Sequence, residues 1–388
     1  MRSPRSLYSR AVSGIKGGRV KRHQLGAAAA VVAVAALAYI GVIRPGSDSA
    51  ERSPQPTVGA TTATVRVMTW NICGEAGDCY AQTNPAGQAK AVADLARTKS
   101  LDAVFLQEIC GEEYKNDKSY DANKSEDADS LLTHVEQQLD ALGADWNLAF
   151  LPYDRLAQDR WGASITVKPS VTREYPVRKH NNAPATSNFR CRGSLIPGVQ
   201  GMAIAVKGTF GDPYEYELPS PQAGISLKAL CVRRTSHTPV RFCTTHLTPP
   251  GEDLDARAGF SYRVAQIQRL TEITGTGTDT VFGGDLNNRP PGDSAAGSEA
   301  SNLVPLYTTY RECQQLGTTA RKGSPTKWSR SEQTNPAGGP STWVYKRESQ
   351  QYDYLFAKNS FASCEVVTST QEWSDHLPVV GTVSVTTS

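Results

Sequence analysis

No Cys-x-x-Cys pair occurs in this sequence, which argues against a zinc ribbon. No internal repeat shows at any period, and no run of exposed aromatics stands out that would push a hairpin into a bilayer. Charge of one sign is lacking as well. Lys and Arg number 41 against 38 Asp and Glu, for a net charge of +3 and a pI near 8.3. That balance argues neither for nor against nucleic acid as a partner. What remains is ordinary globular material: 388 residues, 39% apolar and 20% charged, enough for a large core and for one big catalytic domain behind a tail.

The tail reads as an address. Arg2, Arg5, Arg10, Lys16, Arg19, Lys21 and Arg22 precede an apolar run, Leu25–Ile43, of about the length that spans a bilayer. The basic side is expected to stay in the cytoplasm. The run is Ala-rich and contains Ala36-Leu37-Ala38, so a cleaved signal peptide and an uncleaved anchor both fit. Either places the rest outside the membrane, secreted or tethered. Residues 44–63 are rich in Ser, Pro, Thr, Gly and Ala and read as a flexible spacer, with the catalytic body over 64–388. All eight cysteines follow the apolar run, as exported disulfide partners should.

Within the body, VRVMTWNI, the helical pattern GQAKAVADLARTK and DAVFLQEI form a strand–helix–strand unit. Further helices are expected at DSLLTHVEQQLDAL and across DARAGFSYRVAQIQRLTEI. Further strands are expected at ASITV, GMAIAV, KALCVRR, VRFCTTHL, DTVFGGDL, YDYLFA and VVGTVSV. Strands that keep returning with helices between some of them predict an α/β fold, a two-sheet sandwich with flanking helices. Residues 111–130 and 317–350, dense in polar and turn-forming residues, are expected as surface loops.

The informative pattern is where acids, amides and histidines fall. Asn71 follows VRVMTW, Glu108 follows AVFLQ, His246 follows VRFCTT, Asp285 and Asn287 follow VFGG, Asp353 opens DYLFA, and Asp375-His376 precedes LPVVGTV. Each alone has a bland reading as a turn former, a helix cap or a rim histidine. Collected, they make chemical sense, because strand ends on one edge hold separated residues around one pocket. Carboxylate and amide oxygens suit Mg²⁺, or Mn²⁺ in its place. A histidine beside such an ion moves a proton near neutral pH when a carboxylate fixes its tautomer, and Asp353 is the candidate partner of His376.

In order along the chain, TWNI, LQE, TTHL, GGDLN, DYLF and SDHLPV resemble the endonuclease/exonuclease/phosphatase superfamily, from about Thr64 to the C-terminus. The resemblance implies a DNase-like four-layer fold and a metal-dependent phosphoesterase. It implies Asn71, Glu108 and Asp375 at or near the metal, Asp285 and Asn287 on the scissile phosphate or attacking water, and His376 with Asp353 as the proton-handling dyad. His246 matches a histidine of the deoxyribonuclease and sphingomyelinase branches that the AP endonuclease branch lacks. Arg289, after GDLNN, is a candidate phosphate contact or a surface arginine in a turn.

The expected activity is a monomeric phosphodiesterase with nucleic acid as first-choice substrate. It contacts the membrane only through 25–43, and only if that run is uncleaved. A sphingomyelinase-type phospholipase C, a phosphoinositide phosphatase and an inactive surface-binding module are the alternatives. For the cysteines, Cys73–Cys110 is expected if their strands are parallel neighbours, Cys231–Cys243 across a hairpin, and Cys313–Cys364 as the choice among the four that remain, since eight cysteines leave the full connectivity open.

Overall fold

The structure is a computed structural model. It describes residues 60–73, 84–111, 130–143, 145–155, 175–176, 199–219, 225–236, 238–249, 261–293, 301–315, 323–333, 342–347, 350–370 and 372–387. The basic tail, the apolar run 25–43, most of the spacer and the expected strand ASITV lie outside them. Among the described residues no helix is long and apolar enough to cross a membrane.

In chain order the elements are β1 (Thr61–Asn71), α1 (Pro85–Thr98), β2 (Ala103–Gly111), α2 (Leu131–Asp140), β3 (Trp146–Pro152), β4 (Asp154–Arg155), β5 (Tyr175–Pro176), β6 (Val199–Lys207), β7 (Tyr214–Glu217), β8 (Ile225–Ser226) and β9 (Lys228–Arg233). They continue with β10 (Arg241–His246), α3 (Tyr262–Thr274), β11 (Thr280–Asp285), α4 (Val304–Thr309), β12 (Arg311–Glu312), β13 (Trp328–Gln333), β14 (Thr342–Arg347), β15 (Asp353–Ala357), β16 (Phe361–Val366) and β17 (Val379–Thr387). One mixed sheet has the order β16-β17-β1-β2-β6-β3, and a second has the order β12-β15-β11-β10-β9-β7-β5.

Three apolar layers hold these elements together. One lies between the first sheet and α1 and α2, with Met68, Trp70, Val92, Leu106 and Val135. The middle layer joins the two sheets through Val67, Phe105, Ile204, Phe242, Val281 and Leu355. The third packs the second sheet against α3 and α4 through Ile267, Leu270, Phe282, Leu306 and Phe356. Alternation within each strand feeds two layers at once, since successive side chains point to opposite faces. Local signals set the helix ends. Asn84 accepts from Gly87 N with Pro85 in the first turn, Ser130 accepts from Thr133 N, and Ser261 accepts from Val264 N.

The two-sheet sandwich is as expected, with differences in detail. β1 begins at Thr61, because the β-branched run TTATV extends the pairing with β17 into residues expected as spacer. The stretch 317–350, expected as loop, contains the β13–β14 hairpin. Cys231–Cys243 and Cys313–Cys364 are formed. The first joins directly opposed residues of β9 and β10, and the second ties the strand edge at β12 to β16, across the two sheets. The expected Cys73–Cys110 bond is not among the described disulfides, although both sulfurs are disulfide-bonded. β1 and β2 are parallel neighbours, but β1 ends at Asn71 and Cys73, at a φ of 64°, already turns off the strand, whereas Cys110, still within β2, pairs with Gln200 and packs in the helix-facing layer.

Candidate active site

The inner faces of the two sheets change from apolar to polar at one edge. Along β1, Val65 and Val67 face the second sheet, and the same face continues to Thr69 and Asn71. Phe242 leads to Thr244 and His246 on β10, Val281 to Gly283 and Asp285 on β11, and Leu355 to Asp353 on antiparallel β15. Beneath the polar edge, Gln107 Nε2 donates to Thr244 Oγ1 at 2.9 Å and to Thr69 Oγ1 at 3.2 Å, joining the sheets by hydrogen bonds. Nothing in the spacing of that trio along the chain singles it out.

Alternation alone would send Glu108 the wrong way. Val104 and Leu106 pack toward the helices, and residue 108 should follow them. Instead Glu108 is an extra residue between two that pair regularly with β6, and its φ is 56°. Ile109 takes the helix-facing place and Glu108 turns to Asn71, as bulges re-aim side chains. The double glycine before Asp285 has an equally local cause. A Cβ on Gly284, whose φ is 143°, would lie 1.9 Å from Thr245 O, and one on Gly283 would lie 2.2 Å from Tyr354 O. The neighbouring strands press too close for any side chain there.

Asn71 connects the carboxylates. Its Nδ2 donates to Glu108 Oε1 at 2.8 Å and to Asp285 Oδ2 at 3.0 Å, while its Oδ1 accepts from Cys73 N at 2.9 Å. Since the backbone N–H needs an acceptor, the amide cannot be turned round. Asn71 therefore spaces two acids, with its oxygen already engaged. Asp285 Oδ1 accepts from Asn287 N at 2.9 Å, and Asn287 Nδ2 reaches both His246 Nε2 at 3.0 Å and Leu247 O at 2.8 Å.

His376 Nδ1 and Asp353 Oδ2 are 2.8 Å apart and both are buried, while His376 Nε2 lies 3.7 Å from Asp285 Oδ2. Burial pulls the imidazole down, but Asp353, Asp375 and Asp285 outweigh it and push its pKa up to about 10. The pair shares a proton that resides on the imidazole. Burial raises the Asp353 carboxyl against the opposing pull of His376. Asp285 is lowered: burial works against its charge, but His376, His246, Asn71 and Asn287 more than compensate. The dyad is braced from behind, with Ser374 Oγ accepting from His376 N and donating to Asn71 O, and Trp70 Nε1 donating to His376 O.

Asp375 points elsewhere than its neighbour, as adjacent residues on an extended segment do. Its Oδ2 lies 3.5 Å from Lys327 Nζ. Lys327 was not apparent as a site residue because it sits in the tract expected as loop. Thr326 and Lys327 meet the dyad through backbone, Thr326 O accepting from Leu377 N and Lys327 bridging His376. Burial opposes the ammonium, yet Asp375, then Asp285, Glu108 and Asp353 hold its pKa above the usual lysine value. Arg289 lies 3.8 Å from Asp293 and makes no described contact with the cluster. Tyr153, fully buried beside His246 Nδ1 at 3.2 Å, is another member that sequence reasoning missed.

The donors fit a hard divalent ion. They are carboxylate oxygens and imidazole, and none of the described cysteines is free to offer a thiolate. Asp285, Asp353 and His376 each place a ligand atom within 4.8 Å of the others.

The model of the endonuclease/exonuclease/phosphatase family matches residues 68–376, which span every acid and histidine described above. The chain belongs to that family. It is, accordingly, a metal-dependent hydrolase of phosphate ester bonds. No curated relative matches the sequence. Among solved structures, an endonuclease/exonuclease/phosphatase from Beutenbergia cavernae is 17% identical, with a TM-score of 0.51, covering 83% of this chain and 72% of that one. The human Nocturnin catalytic domain is 16% identical at a TM-score of 0.45, covering 86% and 100%. Zebrafish (D. rerio) TDP2, complexed with a single-stranded DNA product, is 14% identical at 0.45, covering 82% and 98%. At 17% identity the likeness to the Beutenbergia cavernae structure is one of fold, the DNase-like two-sheet sandwich.

Proposed function

We propose that this hydrolase is a Mg²⁺-dependent phosphodiesterase with nucleic acid as its first-choice substrate, acting on the outer side of a membrane. The observation that carries the phosphodiester reading is the buried Asp353–His376 pair, whose free Nε2 faces Asp285 beside the Glu108–Asn71–Asp285 bridge.

Asp285, kept ionised by its neighbours, accepts a proton from the attacking water. Asn287 orients that water through Oδ1, its one polar atom without a partner among the described residues. His376, held by Asp353, presents Nε2–H to a phosphate oxygen as negative charge develops there. Glu108 and Asp375 would hold the divalent ion, since Asp353 Oδ2 is taken up by His376 Nδ1 and the Asn71 oxygen is engaged. When bound, the ion polarises the phosphoryl group and stabilises the leaving oxygen. Support for the extracytoplasmic address comes from the absence of free cysteines among the described residues and from the basic-then-apolar tail.

The tail-free domain with Mg²⁺, offered plasmid DNA, RNA, sphingomyelin and a phosphoinositide in parallel, tests the reading. Cleavage of nucleic acid that EDTA abolishes is expected. Turnover confined to either lipid would replace the substrate, and activity indifferent to EDTA would remove the metal.

A further inference from the structure

His246 is the second histidine facing Asp285, at 3.6 Å, but its backing is unlike that of His376. Among the described residues no carboxylate bonds its Nδ1. The partner there is the hydroxyl of Tyr153, whose ring is wholly buried. The hydrogen atoms around His246 follow from one fixed point. Leu247 O accepts from the Asn287 side chain at 2.8 Å, and a carbonyl oxygen has no proton to give, so the amide nitrogen must face it. The same nitrogen, with its second hydrogen, lies 3.0 Å from His246 Nε2. Nε2 must then offer a lone pair, and in a neutral imidazole the proton moves to Nδ1. That proton points at Tyr153 Oη at 3.2 Å. The carboxylates of Asp285 and Glu108, at 3.6 and 4.0 Å from Nε2, are beyond hydrogen-bond reach.

We propose that Tyr153 is a positioning residue. By accepting the Nδ1 proton it keeps His246 in one neutral tautomer, and His246 in turn keeps the Asn287 amide oriented with Oδ1 left over as an acceptor. The backbone of Asn287 is pinned in the same sense, at a φ of 47°, by Asp285 Oδ1 on its N–H and Arg263 Nη1 on its carbonyl. Leu247 O sets which end of the amide faces inward, and the His246 lone pair, by taking the second amide hydrogen, adds to that hold. The two histidines divide the work: His376 carries a mobile proton, and His246 carries an immobile one. The inference rests on the water-orienting role given to Asn287 above, but the tautomer is read without substrate or metal.

The test is long-range ¹H–¹⁵N correlation of the ¹⁵N-histidine-labelled, metal-free protein, with His246 assigned by comparison with His246→Gln. His246 is expected with a protonated Nδ1 and an unprotonated Nε2. In Tyr153→Phe the two nitrogen shifts should converge as tautomers mix, with kcat about tenfold lower, the worth of roughly one hydrogen bond, and KM within about twofold. A wild-type His246 protonated at Nε2 or at both nitrogens overturns the proposal outright. So does a folded Tyr153→Phe protein whose shifts and kcat match the wild type. Because the spectrum needs no turnover, failure of the phosphodiesterase assay and failure of this assignment are separate results.

Discussion

Asp353 grips His376 at Nδ1, 2.8 Å away and out of solvent, so the imidazole can present only Nε2 to the site. Replacing His376 by Ala should cost about 10²–10⁴-fold in single-turnover rate, as for other positioned acid–base groups. Mn²⁺ affinity should barely change. Asp353→Asn should cost less and add little to His376→Ala, because residues acting as one unit are not additive. Near-normal turnover in His376→Ala would move the proton transfer to Asp285 or His246.

Glu108→Gln keeps an oxygen for Asn71 Nδ2 and removes one negative charge. The melting temperature is expected to hold while Mn²⁺ affinity, followed by electron paramagnetic resonance, falls about 10²-fold and turnover with it. Unchanged metal binding would place the ion elsewhere.

Lys327 sits against the same acids as a fixed positive charge. Lys327→Met should therefore bind Mn²⁺ more tightly, by about three- to tenfold for one partly screened pair. Weaker binding in that variant would show that Lys327 supports the metal site instead of competing with it.

The metal-free protein should also lose stability in alkali for a specific reason. The His376 pKa is about 10 in the fold and near 6.5 when unfolded, so its contribution is fully present below 6.5 and is lost as pH rises through about 10. Melting temperatures of wild type and His376→Gln, compared from pH 6 to 10.5, should converge across that window. A constant difference would contradict the raised value.

Much of this was legible in the sequence, for a physical reason. Asn71, Asp285 and Asp353 each end a run of apolar residues on the inner face, so the change from apolar to polar marks the rim directly. Cys231 and Cys243 were equally readable, as equidistant positions on a two-stranded turn. Lys327 and Thr326 were hidden because SPTKWSRS has no apolar periodicity, and among the described residues β13 pairs only with β14. Tyr153 follows the short strand β3, whose alternation is weak and partly exposed, and nothing in the chain order ties it to a histidine far along the sequence. Glu108 was found for the wrong geometry. The motif placed it at the site, but only the bulge turns it inward.

That bulge gives the acid an unusual genetic footing. Gln107 and Ile109 oppose consecutive residues of β6, Met202 and Gly201, as though residue 108 had been threaded into a finished strand. A three-nucleotide deletion at 108 would restore unbroken pairing there and leave Ile109 in phase with Val104 and Leu106. Loss of this carboxylate would then be a single event that leaves the strand regular, and a lineage could shed it without rebuilding the sheet. A deletion protein that melts like the wild type but fails to bind Mn²⁺ would bear this out, whereas one that fails to fold would show that the inserted residue has become structural.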